Sequence, residues 1–271
     1  MLNAPLWFRL KHRFEVSRGI RLEQAAFCSA KLLVANSERT RRDLISLFGV
    51  HPERVHTIYL GADSVWKELT PERRQAARAW LGIAPGRPLV AFVGALGYDA
   101  RKGFDTLWRA WLDLCRMEEW DACLVVAGGG RALADWRRTA AKSELRGRVK
   151  FLGFTDRVFD VLAASDLLVS PARYESYGLN VQEALCCGVP AIVSASAGVA
   201  ERYSSSLSSL LLPDPEDARD LAARMLCWRR DMAGWRRRLE PTIQMLRNYS
   251  WNDMARRIVT LTESSIGIER C

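Results

Sequence analysis

An α/β fold built on a parallel sheet is what this 271-residue sequence predicts, and three observations predict it. From about residue 88 onward, short runs that are apolar throughout recur, each too short to be a helix. Stretches with helical patterning, such as DTLWRAWLDLCRM, ALADWRRTAAKSEL and DRVFDVLAA, separate them. The glycine-rich and polar loops follow the apolar runs, as they do where ligands sit beyond the carboxyl ends of parallel strands covered on both faces.

In chain order, KLLVANSERTRRDLISLFGV reads as a strand over Lys31 to Ala35, an N-cap at Ser37 with Glu38 close behind, and a helix to about Phe48 closed by Gly49. VHTIYLGAD then reads as a connector between two units. The strands of the second unit are expected at Leu89 to Gly94, Cys123 to Gly128, VKFLG, Leu167 to Ser170, Pro190 to Ser194 and Ser209 to Leu212. LNVQEALCC reads as a helix with Leu179, Ala184 and Leu185 facing inward. Gly94 to Gly103, Gly128 to Gly130, Pro171 to Gly178 and Ser194 to Gly198 all follow strands, so they converge on one edge of the sheet.

Composition sets limits. Apolar residues make up 49% and charged residues 26%, ordinary globular usage. No apolar run approaches the ~20 residues of a membrane-spanning helix, and basic residues interrupt the first twenty, so export is not expected and the reading is cytoplasmic. The seven cysteines are odd in number and show no metal-binding spacing, which points to reduced thiols, with Cys186 and Cys187 packing as small hydrophobes. His12, His51 and His56 are scattered, giving neither a zinc site nor a histidine triad. Trp108, Trp111, Trp228 and Trp235 lie on helical stretches and read as packing residues.

The chemistry concentrates in Ser170 to Glu183, SPARYESYGLNVQE. Gly178 allows backbone to approach a ligand closely, and the helix start offers free N–H groups from Ser176 to Leu179 to an anion. An acidic side chain beside such a site would repel phosphate. Glu175 therefore makes sense as an acceptor for neutral hydroxyls, which sugars supply, and Glu183, about a turn into the helix, suits a ribose diol. A solvated loop acid and an exposed helix acid are the plainer alternative for any two glutamates.

ARYESYGLNVQEALCCGVPAIVS resembles the donor-site signature of retaining glycosyltransferases of the GT-B fold, family four, in which a Glu-x7-Glu pair flanks an aromatic-Gly turn. VANSERTRRDLISLFGVHPERVHTIYLGAD, FVGALGYDARKGFDTL, LVVAGGG, VKFLGF and ASDLLVSPARYES follow in that family's order, so the resemblance covers nearly the whole chain from Val34 onward. It implies a complete C-terminal Rossmann-like donor domain and only the last part of the N-terminal Rossmann-like domain. The corresponding segments are residues 1–63 as an acceptor-side remnant, 64–249 as the donor domain and 250–271 as a helix crossing back to the first unit.

The resemblance also implies roles. Glu175 positions the sugar, Arg101 and Lys102 with the amides of Ser176, Tyr177, Gly178 and Leu179 stabilise the leaving diphosphate, and Glu183 holds the ribose. Gly94 and Gly128 lie at the nucleotide side of the cleft, and Phe154 to Val158 meet the base. Tyr177 either covers the sugar or packs. Ala95 stands where family members often carry Arg. The donor is a UDP-, GDP- or ADP-sugar, the acceptor a glycan or lipid, and no metal or other cofactor is implied.

Two further readings stand beside this one: a nucleotide-sugar-binding module that needs a separate acceptor domain, and a nucleic-acid binder, prompted by the net charge of +9. No nucleic-acid motif accompanies the charge, so nucleic acid is not an expected partner. Residues 1–42 hold nine Lys/Arg against three Asp/Glu, and residues 218–271 eleven against six. With Trp7, Phe8 and Phe14 among Arg9, Lys11 and Arg13, the basic ends suit either an anionic membrane surface or a solvated, solubilising face.

Overall fold

A computed structural model describes residues 19–63, 69–142, 145 and 147–266. The aromatic and basic cluster from Trp7 to Phe14 lies outside them. Residues 19–29 form helix α1. Strand β1 (Leu33–Ala35) then leads through helix α2 (Glu38–Phe48) to strand β2 (Val55–Thr57). The two strands pair in parallel, with Val34 opposite His56. Ser37 caps α2 by accepting from the Thr40 N–H, and Gly49, at φ 68°, closes it. Ala35, Leu44, Val50 and Val55 form a small separate core, with Phe27 and Phe48 packed edge to face against it. The expected connector is thus partly a strand, because three residues of mixed burial carry no periodicity that a sequence reading can detect.

The main sheet has six parallel strands in the order β5-β4-β3-β6-β7-β8. They are β3 (Leu89–Val93), β4 (Cys123–Ala127), β5 (Val149–Gly153), β6 (Leu167–Ser170), β7 (Ala191–Ser194) and β8 (Leu211–Leu212). The expected last strand is mostly a 3-10 turn, Ser205–Leu210, ahead of a two-residue β8. Helices α3 (Pro71–Leu81), α4 (Phe104–Cys115), α5 (Leu133–Lys142), α6 (Val158–Ala164), α7 (Leu179–Cys186), α8 (Ala218–Arg230), α9 (Met232–Arg247) and α10 (Trp251–Ile266) complete the fold. Helix α4 packs on α8, α3 on α6, and α7 on α9.

Strand order reverses between β3 and β6, so the loops after these two strands open a crevice between them. The strands beneath are buried on both faces, which is why they read as unbroken apolar runs. Trp111, Trp120 and Trp228 are fully buried, and Trp108 and Trp235 nearly so. At the opposite edge of the sheet, the buried Asp166 carboxylate is held by Arg74, Arg78 and Arg236 and by the Leu89 N–H. Several such bonds are what a buried charge requires. The first unit joins the second where the Ala62 N–H donates to the Tyr249 carbonyl, beside the start of α10. Backbone contact there is so close that a Cβ on Gly61 would fall 2.3 Å from the Ser250 carbonyl carbon.

Candidate functional site

The loops at the carboxyl edge are fixed to one another by backbone. The Gly94 N–H donates to the Ala127 carbonyl, Leu96 to Gly129, and Gly128 to Gly153. Gly128 sits at φ 151°, and a Cβ there would come within 1.9 Å of the Gly94 carbonyl oxygen. Gly128 must therefore be glycine for the two loops to nest, whereas Gly94 contributes its backbone to the contact.

A second brace joins the loop after β3 to the loop after β6. The Arg173 N–H donates to the Arg101 carbonyl, and its guanidinium donates to the Ala100 carbonyl and, through both Nη groups at 2.8 Å, to Asp105. Gly103, at φ 71°, presses so tightly on this loop that a Cβ would fall 1.8 Å from the Pro171 oxygen. Together these contacts deliver Lys102 to Glu175, whose carboxylate takes a hydrogen bond from the Lys102 Nζ in a mostly buried ion pair. Arg101 does not join them. Its side chain is more than half exposed and lies 3.9 Å from Asp99.

Beyond Glu175, the N–H groups of Ser176, Tyr177, Gly178, Leu179 and Asn180 enter no hydrogen bond among the described residues. This run of free donors opens helix α7, where the helix dipole adds to their attraction for an anion. The Tyr177 ring turns inward: it is buried, its hydroxyl donates to Gln182, and burial pushes its phenol well above the usual range. Of the two readings open for Tyr177, packing is the observed one. Leu179 is 38% exposed rather than inward-facing, because the first residue of α7 points out of the bundle and the buried set begins at Val181.

Glu183 lies one turn into α7, and burial alone pushes its carboxyl up to about 7. Phe154, at the rim after β5, is 88% exposed. Val158 begins helix α6 and is half-buried.

Sequence reasoning missed part of the site, which comes from the first unit. The Ser37 hydroxyl donates to the Ser176 carbonyl at 2.6 Å, and the Thr40 hydroxyl lies 3.2 Å from that carbonyl but nearer, at 2.8 Å, to its acceptor Asn36 Oδ1. The Glu201 carboxylate accepts from the Glu38 and Arg39 N–H groups at 2.9 and 2.7 Å and from the Tyr59 hydroxyl at 3.0 Å. The Tyr174 hydroxyl reaches Asp43. The N-cap at Ser37 was legible, but its partner 139 residues away was not. Among the described residues no three His, Cys, Asp or Glu side chains gather where they could hold a metal ion.

Known proteins resemble the chain throughout. Residues 87–231 match the family model described as Glycosyl transferases group 1, and residues 5–65 match that of Glycosyltransferase Family 4. The D-inositol 3-phosphate glycosyltransferase of Nocardia farcinica is 33% identical over 204 residues, covering 72% of this chain and 44% of that protein. The chain thus spans less than half the length of that relative. Among solved structures, Anabaena HepE in complex with UDP-glucose aligns with a TM-score of 0.76 at 21% identity, over 87% of this chain and 64% of that one. Sucrose-phosphate synthase from Thermosynechococcus elongatus aligns with a TM-score of 0.75 at 26% identity, over 92% and 62%.

Proposed function

Because the chain belongs to the glycosyl transferases group 1 family and has a fold of the GT-B type, we propose that it binds a nucleotide sugar in the crevice between β3 and β6 and takes part in retaining transfer of that sugar. The observation that carries this reading is the meeting of Lys102 and Glu175 beside five free backbone N–H groups. A diphosphate laid on those amides would take Lys102 as its counter-charge, and the freed Glu175 carboxylate would accept from sugar hydroxyls. As the glycosidic bond breaks, charge grows on the diphosphate, and donors already fixed in place lower the barrier.

Glu183 is the residue for the ribose, the exposed Phe154 ring is offered to the base, and Val158, at the start of α6, is a further apolar residue for it. Arg101 is free to swing from Asp99 towards an arriving phosphate. UDP-sugars come first among the UDP-, GDP- and ADP-linked donors, on the analogy of HepE, whose complex contains UDP-glucose. We assign residues 1–63 to the acceptor side, 64–249 to the donor domain and 250–271 to the returning helix, with a glycan or lipid as acceptor in the cytoplasm. No helix among the described residues is long and apolar enough to cross a membrane, and the basic chain ends are the candidate contact with an anionic membrane surface.

A second reading is a donor-binding module whose acceptor half is supplied separately. It is favoured by the first unit's sheet, which has two strands among the described residues. Calorimetric titration of UDP-, GDP- and ADP-sugars with a chelator present tests both. One donor is expected to bind, and Lys102→Ala to lose about 1.5 to 3 kcal/mol of that binding. Affinity unchanged by the substitution removes the assignment. Retaining transfer by the chain alone would reject the module.

A further inference from the structure

Ser37 is wholly buried at the junction of the two units. As the N-cap of α2 its oxygen accepts from the Thr40 N–H at 3.0 Å, while its proton goes to the Ser176 carbonyl. That carbonyl belongs to the peptide plane whose other edge carries the Tyr177 N–H. In a planar trans peptide the C=O and N–H point in opposite directions, and the described chain has no cis bond. Holding the Ser176 oxygen towards α2 therefore fixes the Tyr177 N–H away from α2, within the run of free donors from Ser176 to Asn180.

The anchor is itself held. Glu201 fills the next two donors of α2, those of Glu38 and Arg39. Gly198 packs so closely that a Cβ would lie 2.6 Å from the Ser37 side chain and 2.2 Å from the Ser176 oxygen. The Gly198 and Val199 N–H groups bind the Glu175 and Tyr177 carbonyls. Every carbonyl from Glu175 to Tyr177 is thus tied, the middle one from the first unit.

We propose that Ser37 is a positioning residue for nucleoside-diphosphate binding: from the acceptor-side unit it sets the Ser176–Tyr177 peptide plane, and so the aim of the backbone donors in the other unit. This rests on the donor-site reading above. It also makes the first unit part of the donor site, so that loss of α2 or of its cap is felt as weaker diphosphate binding.

The test is titration of UDP, GDP and ADP into the full chain and into Ser37→Ala, Ser37→Gly and Ser37→Thr, well below the melting temperature of each. For whichever diphosphate binds the wild type most tightly, Ala and Gly should each lose about tenfold in affinity, the scale of one lost hydrogen bond to a buried acceptor. Thr, which keeps the hydroxyl, should restore it. Gly at an N-cap costs helix stability far less than Ala does, so equal affinity losses in the two variants with unequal melting temperatures separate positioning from folding. A lowered melting temperature with unchanged affinity in Ala and Gly overturns the inference and leaves the donor site standing. No diphosphate binding by the wild type overturns the donor-site reading and this inference with it.

Discussion

A carboxyl that has lost its water without gaining a cation titrates late, and Glu183 is such a group. Its folded value, about 7, lies above the ordinary 4.5, so the folded chain holds that proton more tightly than the unfolded chain does. Burial of Glu183 therefore costs nothing below about pH 4.5. The cost grows as pH rises towards 7 and is fully present above it, at roughly 3 kcal/mol. Melting curves at pH 5 and pH 8 should show the wild type losing stability across that interval and Glu183→Gln losing much less. Ligand binding carries the opposite sign. If the ionised carboxylate accepts from a ribose, nucleotide affinity rises through pH 7, and binding near pH 6.5 releases a proton, measurable by calorimetry in buffers of different ionisation heat. A proton release of zero would take Glu183 out of the ribose site.

Between elements, the brace of Arg173 on Asp105 decides whether the basic loop and the acidic loop meet. Burial raises the Asp105 carboxyl, but the Arg173 hydrogen bonds and charge outweigh it and hold the group below its usual 3.8. Its stabilisation is present above that value and fades as pH falls through the depressed one. Arg173→Ala should weaken diphosphate binding without touching the ligand and lower the melting temperature, because it strands a partly buried acid. Gly103→Ala should cost at least about 2 kcal/mol in denaturant unfolding, since both its φ and its contact with Pro171 exclude a side chain. The inner strands of the second unit were legible because burial on both faces leaves unbroken apolar runs, and helix α2 of the first unit because its caps, Ser37 and Gly49, are local. The order of the loops along one edge followed from that. Arg173 to Asp105, Ser37 to Ser176 and Glu201 to α2 were not legible: each depends on pairs 68 to 163 residues apart that only the assembled sheet brings together. Leu179, expected inward, faces out, and the burial of Tyr177 was one of two open readings, for a related reason. Periodicity alone does not say which residue of a loop turns in when the helix after it starts.

Over the whole molecule, net positive charge gathers at the two ends of the chain while the middle is slightly acidic. If those ends form one basic face, sedimentation with anionic vesicles at low salt should carry the chain down, neutral vesicles should not, and added salt should release it. Failure to bind anionic vesicles at low salt sinks the membrane contact. The reversal of strand order has a kinetic consequence as well. β3 and β6 pair residues that lie 77 apart in sequence, such as Val90 and Leu167, and the loops that carry Lys102 and Glu175 hang from those two strands. Closing so long a segment precedes the reward of pairing, and parallel strands are slow to find each other for that reason. The chain should therefore acquire much of its helix early in refolding and its capacity to hold a nucleotide only in the slowest phase, together with the last burial of tryptophan. Stopped-flow mixing with a fluorescent nucleotide would time the two events, and an affinity that returned before the sheet closed would mean that neither loop waits for the other.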